Sequence, residues 1–134
     1  DLQPRADYYY QVKSAGSDWS EKLFFRSLYY SGETKFAIFG DMGVYAYNNM
    51  ANLERDIASG KVDAVVHLGD HAYNIAEADG LRGDGYLNAF QRVISRVPWV
   101  PVLGNHEYYE GDEFHRYLNQ TWGEALDSAK PHNA

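Results

Sequence analysis

Three short segments of the chain place a metal-binding oxygen directly after a glycine: Gly40-Asp41, Gly69-Asp70 and Gly104-Asn105. Each segment follows an apolar stretch that is typical of a buried strand. A glycine before the ligand allows a sharp turn and a close approach of the backbone. Because the carboxyl ends of neighbouring parallel strands meet at one edge of a sheet, these side chains are expected to surround one point. The pattern predicts a site for a hard cation, although three ordinary strand-to-helix turns would give the same spacing.

The elements that must position these ligands alternate between strand and helix from residue 35 onwards. Strand signals cover residues 35–39, 62–68 and 99–103. Apolar residues at helical spacing follow the first strand, around Leu53, and the second, from Tyr86 to Val97. Pro98 ends the second helix. This order implies parallel strands with right-handed crossovers, so we predict an α/β fold of the βαβαβ kind. A last helix is predicted over about 112–119.

The first 31 residues have a different pattern. Residues 6–13 and 22–28 are rich in aromatic side chains and are predicted to form two strands, with turn-forming residues between them. Two strands alone are only marginally stable in water. We therefore interpret this segment as the last strands of a β-sandwich domain.

Composition excludes several classes of function. The net charge of −7 arises entirely beyond residue 31, which argues against a surface for nucleic acid or anionic membranes. An acidic segment suits carboxylates gathered around cations, but a solvated acidic surface would look the same. There is no cysteine, so disulfides and thiolate metal sites are excluded. No apolar run is long enough for a membrane span, and the absence of a starting Met leads us to expect a piece of a longer protein.

The complete motifs carry a resemblance to a known family. Gly40-Asp41-Met42-Gly43, Gly69-Asp70-His71-Ala72-Tyr73 and Gly104-Asn105-His106-Glu107 resemble the first three signature blocks of the calcineurin-like metallophosphoesterase superfamily. Tyr73, three residues after Asp70, resembles the purple acid phosphatase version, whereas phosphoprotein phosphatases continue as Asp-x-Val-Asp-Arg-Gly. The resemblance implies that residues 35–134 are the N-terminal part of a truncated catalytic domain, a partial metallophosphoesterase sandwich. It likewise implies that residues 1–31 are the C-terminal end of a fibronectin-III-like domain.

The resemblance also implies a role for each residue of the motifs. Asp41 and Tyr73 would bind a first metal, Fe³⁺, with Tyr73 as a phenolate. Asp70 would bridge both metals, and Asn105 would bind the second, which is Zn²⁺, Mn²⁺ or Fe²⁺. His106 would be the catalytic residue, contacting the phosphate and the leaving oxygen. A metal-activated hydroxide would be the nucleophile.

The sequence departs from the family pattern after the third block. The family site uses three further histidines, from a Val-x-x-His block and a Gly-His-x-His block. Only His115 and His132 follow His106 here, and neither lies in such a motif. We therefore expect this stretch alone to bind metal poorly and to turn over little substrate.

The function implied is hydrolysis of phosphate monoesters, on small phosphorylated substrates and with no nucleic-acid or membrane partner. Two alternatives stay open at this point. One is a metallophosphoesterase acting on nucleotides or phosphodiesters, and the other is a truncated, non-catalytic product. The sequon Asn119-Gln120-Thr121 predicts glycosylation of Asn119 and, with the resemblance, a secreted or lysosomal location.

Two histidines near the second block are interpreted separately. His67 lies inside a predicted strand, and the composition of that strand favours a buried core histidine over a ligand. His71 lies within the block, where a position facing the pocket and a position on the surface are equally compatible with the sequence.

Overall fold

The computed structural model describes residues 2–44 and 49–108. The strands are β1 (Asp7–Tyr10), β2 (Leu23–Arg26), β3 (Phe36–Phe39), β4 (Ala64–Leu68) and β5 (Trp99–Val102), and the helices are α1 (Met50–Ala58), α2 (Leu81–Ile94) and α3 (Asn105–Tyr108). All five predicted strands and the first two predicted helices are present. The helix predicted over 112–119 and the sequon at Asn119 lie outside the described residues.

A three-stranded parallel sheet forms the centre of the fold. Its strand order is β3-β4-β5, with Phe36 opposite Ala64 and Val65 opposite Trp99. The spatial order of the strands follows the chain, so α1 and α2 act as successive crossover connections and pack into the same hydrophobic core. The predicted α/β fold of the βαβαβ kind is confirmed.

The two faces of this sheet differ in what covers them. On one face Val65 packs against Phe90 and Val93 of α2, and all three side chains are fully buried. On the other face Phe36 and Ile38 remain more than half exposed, at 53% and 60% of their surface. Because side chains alternate between the two faces of a strand, one set of apolar side chains lies in the core and the other set is exposed to solvent.

Strands β1 and β2 form a separate antiparallel hairpin. Its stability comes from aromatic pairs across the strands, because Tyr8 stacks on Phe25 with ring centroids 5.6 Å apart. The assignment of residues 1–31 and 35–134 to two domains stays a prediction.

The hairpin is attached to the α/β unit by polar contacts. Arg5 forms an ion pair of 2.5 Å with the buried Asp63, which precedes β4. The hydroxyl of Tyr10 donates a hydrogen bond of 2.9 Å to the carbonyl of Ser95, just after α2. Residues 2–44 and 49–108 contain no helix that is long and apolar enough to cross a membrane.

Replacing the most buried aromatic side chain tests this account of the core. Phe90 is fully buried and stacks on Tyr86 with ring centroids 5.3 Å apart. Phe90→Ala is expected to lower the free energy of unfolding by about 3–5 kcal/mol, because it removes apolar contacts and leaves a cavity. The matched control Phe36→Ala, on the open face, should cost about 1 kcal/mol or less. Urea denaturation measures both, and similar losses would contradict the assignment of the core face.

Candidate metal centre

The loops after β3, β4 and β5 meet at one edge of the sheet, and they are called the first, second and third loops below. The backbone N–H of Asp41 donates to the carbonyl of Gly69 at 3.1 Å, which joins the first loop to the second. The backbone N–H of His106 donates to Oδ1 of Asp70 at 3.2 Å, which joins the third loop to the second. The third loop includes the short helix α3, whose first residue, Asn105, is exposed. The structure therefore brings together the loops that carry Asp41, Asp70 and Asn105.

Tyr73 reaches back to the first of these loops. Its hydroxyl donates a hydrogen bond of 3.0 Å to Oδ1 of Asp41, and its ring meets that of His106 edge to face with centroids 4.8 Å apart. Tyr73 is half-buried and does not belong to the hydrophobic core cluster of the described residues. Asp41, Tyr73 and His106 thus face the same edge of the sheet from three different loops.

The backbone at this edge adopts conformations that L-residues seldom take. The φ angles are 56° at Asp41, 51° at Asp70, 52° at Tyr73 and 71° at Asn74. Such left-handed residues cost about 1–3 kcal/mol each and persist only where the surroundings impose them. Their concentration in the two loops that carry carboxylates is typical of a functional site.

His106 is oriented by a neighbour that the sequence did not single out. Its Nδ1 lies 2.9 Å from Oδ1 of Asn74, and because this amide oxygen only accepts, Nδ1 carries the proton. In the neutral ring Nε2 is then the accepting nitrogen. Asn74 therefore fixes both the direction of the imidazole and the position of its proton.

A buried carboxylate lies directly beneath the edge. Oε2 of Glu107 accepts from the backbone N–H groups of Gly104 at 2.7 Å and Asp70 at 2.9 Å, and Oε1 accepts from that of His71 at 2.9 Å. Glu107 is only 3% exposed. One carboxylate therefore satisfies three backbone donors from the second and third loops.

Neighbouring groups keep the Glu107 carboxyl ionised although it is buried. Burial raises the pKa of the Glu107 carboxyl. The adjacent His71 and the backbone N–H groups lower this pKa by a larger amount, so that it lies at about 2. His71 Nδ1 lies 3.2 Å from Oε1, an ion-pair distance without hydrogen-bond geometry. These contacts favour the ionised form of Glu107, in which both oxygens accept hydrogen bonds from the three amides.

Two histidines fill the space below this carboxylate. His67 is fully buried, and its Nδ1 lies 2.8 Å from the hydroxyl of Tyr86, which confirms the core interpretation. His71 is also fully buried, with its ring centroid 4.2 Å from that of His67, so the surface alternative is wrong. Burial, and then the neighbouring His71, lower the pKa of His67 to about 3, although Glu107 acts in the opposite direction.

The donor set at the edge fits a hard cation in its chemistry. It comprises the carboxylates of Asp41 and Asp70, the phenol of Tyr73 and the amide of Asn105. The 3.0 Å between the oxygens of Asp41 and Tyr73 matches the separation of about 3 Å between adjacent ligands in an octahedral shell. Within the described ranges, no three His, Cys, Asp or Glu side chains gather closely enough to hold a metal ion. These residues are therefore candidates for only part of a coordination shell.

Glu107 and Asn74 are the residues of this site that sequence reasoning missed. Glu107 stood in the third motif, but nothing in its type or spacing indicated that it would be buried under two loops. Asn74 directly follows Tyr73, and its proximity to His106 depends on left-handed backbone at both positions in the second loop. The only indication in the sequence was that Glu107 directly follows the predicted catalytic residue His106, shortly after a buried strand.

The close contact between the second and third loops predicts the effect of adding a methyl group there. A Cβ on Gly104 would lie 2.5 Å from the backbone nitrogen of Asp70 and closer still to its Oδ1. Gly104→Ala is therefore expected to lower the free energy of unfolding by about 1–3 kcal/mol through overpacking.

Gly85→Ala is the matched control, because an added Cβ meets nothing within 4 Å beyond its chain neighbours and the nearby backbone of α2, and the position is inside α2. It should raise stability by up to about 1 kcal/mol through helix propensity. Thermal denaturation of both variants measures the difference. Equal effects would show that the two loops do not meet as described.

The lowered pKa of His67 predicts a loss of stability in acid. The unfolded chain binds a proton at the ordinary pKa of 6.5, whereas the folded chain keeps this imidazole neutral down to about 3. The free energy of unfolding should therefore fall by about 1.4 kcal/mol per pH unit as the pH drops below 6.5.

His67→Asn does not titrate and can still hydrogen-bond to Tyr86. We expect it to be less stable at pH 7.5 but to show a flatter dependence between pH 6.5 and 4.5. Urea denaturation over this range measures the slope for both proteins. Parallel slopes would mean that His67 is protonated in the folded state.

Comparisons with known proteins agree with the geometry. The model of the calcineurin-like phosphoesterase family matches residues 34–131. Acid phosphatase type 7 of Danio rerio is 36% identical over 110 residues, which cover 81% of this chain and 25% of the relative. Fe(3+)-Zn(2+) purple acid phosphatase 12 of Arabidopsis thaliana is 30% identical over 112 residues, covering 80% of this chain and 24% of the relative.

A solved structure gives the same result. Purple acid phosphatase PPD1 from seeds of yellow lupin, Lupinus luteus, superposes with a TM-score of 0.59 and 28% identity, over 80% of this chain and 22% of that chain. The chain spans about a quarter of the length of the curated relatives it matches. These relatives favour the acid phosphatase interpretation over the nucleotide or phosphodiester alternative. The chain belongs to the calcineurin-like phosphoesterase family, and its resemblance within that family is to the purple acid phosphatases.

Proposed function

We propose that the protein is a metal-dependent acid phosphatase that hydrolyses phosphate monoesters, and that the loops after β3, β4 and β5 supply part of its two-metal centre. The observation that carries the proposal is the hydrogen bond of 3.0 Å between Tyr73 and Asp41. It places a phenol and a carboxylate from separate loops side by side, as two ligands of one ion require.

The proposed metal-binding roles come from the family resemblance, and this placement supports them. Asp41 and Tyr73 are proposed as ligands of a first ion, Fe³⁺, and Asn105 as a ligand of a second, which is Zn²⁺, Mn²⁺ or Fe²⁺. Asp70 is proposed as the bridge, because it lies between the other two loops and one of its oxygens already accepts from His106 N–H. When bound, such ions lower the pKa of a coordinated water and stabilise negative charge on phosphate. One relative is itself named as an Fe(3+)-Zn(2+) enzyme.

The protein's own residues would orient the substrate and move a proton. His106 is half-buried at the edge of the site, beside the ring of Tyr73. With Nδ1 donating to Asn74, a proton on Nε2 could be donated to the leaving oxygen of the ester. We propose His106 as the catalytic acid and Asn74 as the residue that directs it.

The family assignment supports further proposals about context. Small phosphorylated molecules are the proposed substrates. Glycosylation at Asn119 and a secreted or lysosomal location are proposed from the sequon and from the acid phosphatases among the relatives. Residues 1–31 are proposed as the end of a fibronectin-III-like domain that precedes the catalytic one.

Spectroscopy and kinetics of the complete protein, which also carries the histidine ligands of the family site, test the function after loading with Fe³⁺ and Zn²⁺. Wild type should show visible absorption from an iron-bound phenolate and should hydrolyse p-nitrophenyl phosphate at acidic pH faster than bis(p-nitrophenyl) phosphate. Tyr73→Phe should abolish the visible band, because phenylalanine has no oxygen ligand. The control Tyr9→Phe, at a side chain that is 66% exposed, should change neither readout.

Each outcome has a separate meaning. A visible band that survives in Tyr73→Phe would assign the phenolate to another tyrosine. Hydrolysis of the diester alone would restore the phosphodiesterase alternative. Metal binding without hydrolysis of either substrate would support the non-catalytic alternative.

A further inference from the structure

We propose that Glu107 is a positioning residue that fixes the separation between the loops carrying Asp70 and Asn105, and thereby the spacing of the two metal positions. The inference rests on the proposed function for its effect on metal binding. Its structural part rests on contacts that hold independently of that function.

The first argument is the way both carboxylate oxygens are used. Oε2 accepts from one amide in the second loop, that of Asp70, and one in the third loop, that of Gly104. Oε1 accepts from the amide of His71. A single planar group therefore sets the distance between two loops, because neither loop can move without lengthening at least one of these hydrogen bonds.

The second argument is burial. Glu107 is 3% exposed, and its side chain is closed to water. If the carboxylate is removed, the three N–H groups lose an acceptor that solvent cannot easily replace. The loops would then have to shift to find other partners, and Asp70 and Asn105 would shift with them.

The third argument is that the contact is reciprocal. Asp70 in the second loop accepts from the N–H of His106 in the third, while Glu107 in the third accepts from two amides of the second. Between them the backbones are so close that a Cβ on Gly69 would lie 2.6 Å from Cα of Gly104. The second and third loops therefore move as one unit, with the proposed ligands on its outer side.

The alternative role for Glu107 is simple space filling, and two substitutions distinguish the roles. Glu107→Gln keeps the shape, but one oxygen becomes an NH₂ group that must face at least one backbone N–H. Glu107→Asp is one methylene shorter but keeps two accepting oxygens and the charge. An acceptor role predicts that Asp is the milder change, whereas a packing role predicts that Gln is.

The experiment combines amide hydrogen exchange with Mn²⁺ titration of the complete protein, which also carries the histidine ligands of the family site. In Glu107→Gln we expect exchange at the amides of Asp70, His71 and Gly104 to accelerate at least about 10-fold more than at Val65, whose N–H donates to Pro98 in the sheet. Mn²⁺ affinity should fall about 10–100-fold. Glu107→Asp should show smaller changes in both.

Glu77→Gln is the control, since it makes the same chemical change in a surface ion pair with Arg82. It should leave both readouts at wild-type values. If Glu107→Gln does not fold, Glu107→Asp compared with wild type provides the same two measurements.

The outcomes separate the two hypotheses. Uniform acceleration across β3, β4 and β5, a milder effect of Gln than of Asp, or wild-type Mn²⁺ affinity despite faster exchange at the three amides would each overturn the positioning role. If the complete wild-type protein binds no Mn²⁺, the proposed metal centre fails, and the exchange pattern alone decides the role of Glu107.

Discussion

Backbone N–H groups at the ends of β4 and β5 point into a region closed to water, and the Glu107 carboxylate is their acceptor. Without this carboxylate, the strands could still pair. The second and third loops, however, would contain backbone N–H groups without an acceptor at the point where the two loops are closest. The cost of burying a charge is offset by the amides and by His71, which together hold the pKa of Glu107 at about 2. The geometry of the whole edge depends on this one ionised group.

The geometry of the candidate metal centre depends on the Glu107 carboxylate. Because the second and third loops are held together from below, their exposed sides can keep left-handed backbone that would otherwise relax. Asp41 and Tyr73 then meet across the first and second loops at a hydrogen-bonding distance of 3.0 Å. Asn74 directs the ring of His106 from the same strained segment. The proposed ligands thus lie on a backbone that is tightly constrained.

Much of this arrangement could be predicted because it is encoded locally. Apolar periodicity gave the order of strands and helices, and glycine before a polar residue marked each strand end. The apolar stripe of α2 begins only at Tyr86, whereas the helix begins at Leu81, because Gly83 and Gly85 weaken the local helix signal and tertiary packing overrides it. The roles of Glu107 and Asn74 could not be predicted because their partners are remote in sequence. No local sequence pattern indicates that a side chain is buried beneath another loop.

The parallel topology has a consequence for the time course of folding. Phe36 pairs with Ala64 and Val65 with Trp99, while Glu107 and Asp70 are separated by 37 positions. No hairpin can nucleate such a sheet, so each strand must wait for a long loop to close. The N-terminal hairpin can form early, whereas the loops of the candidate site cannot come together before β5 has docked. During synthesis, the candidate site therefore forms only after the parallel sheet.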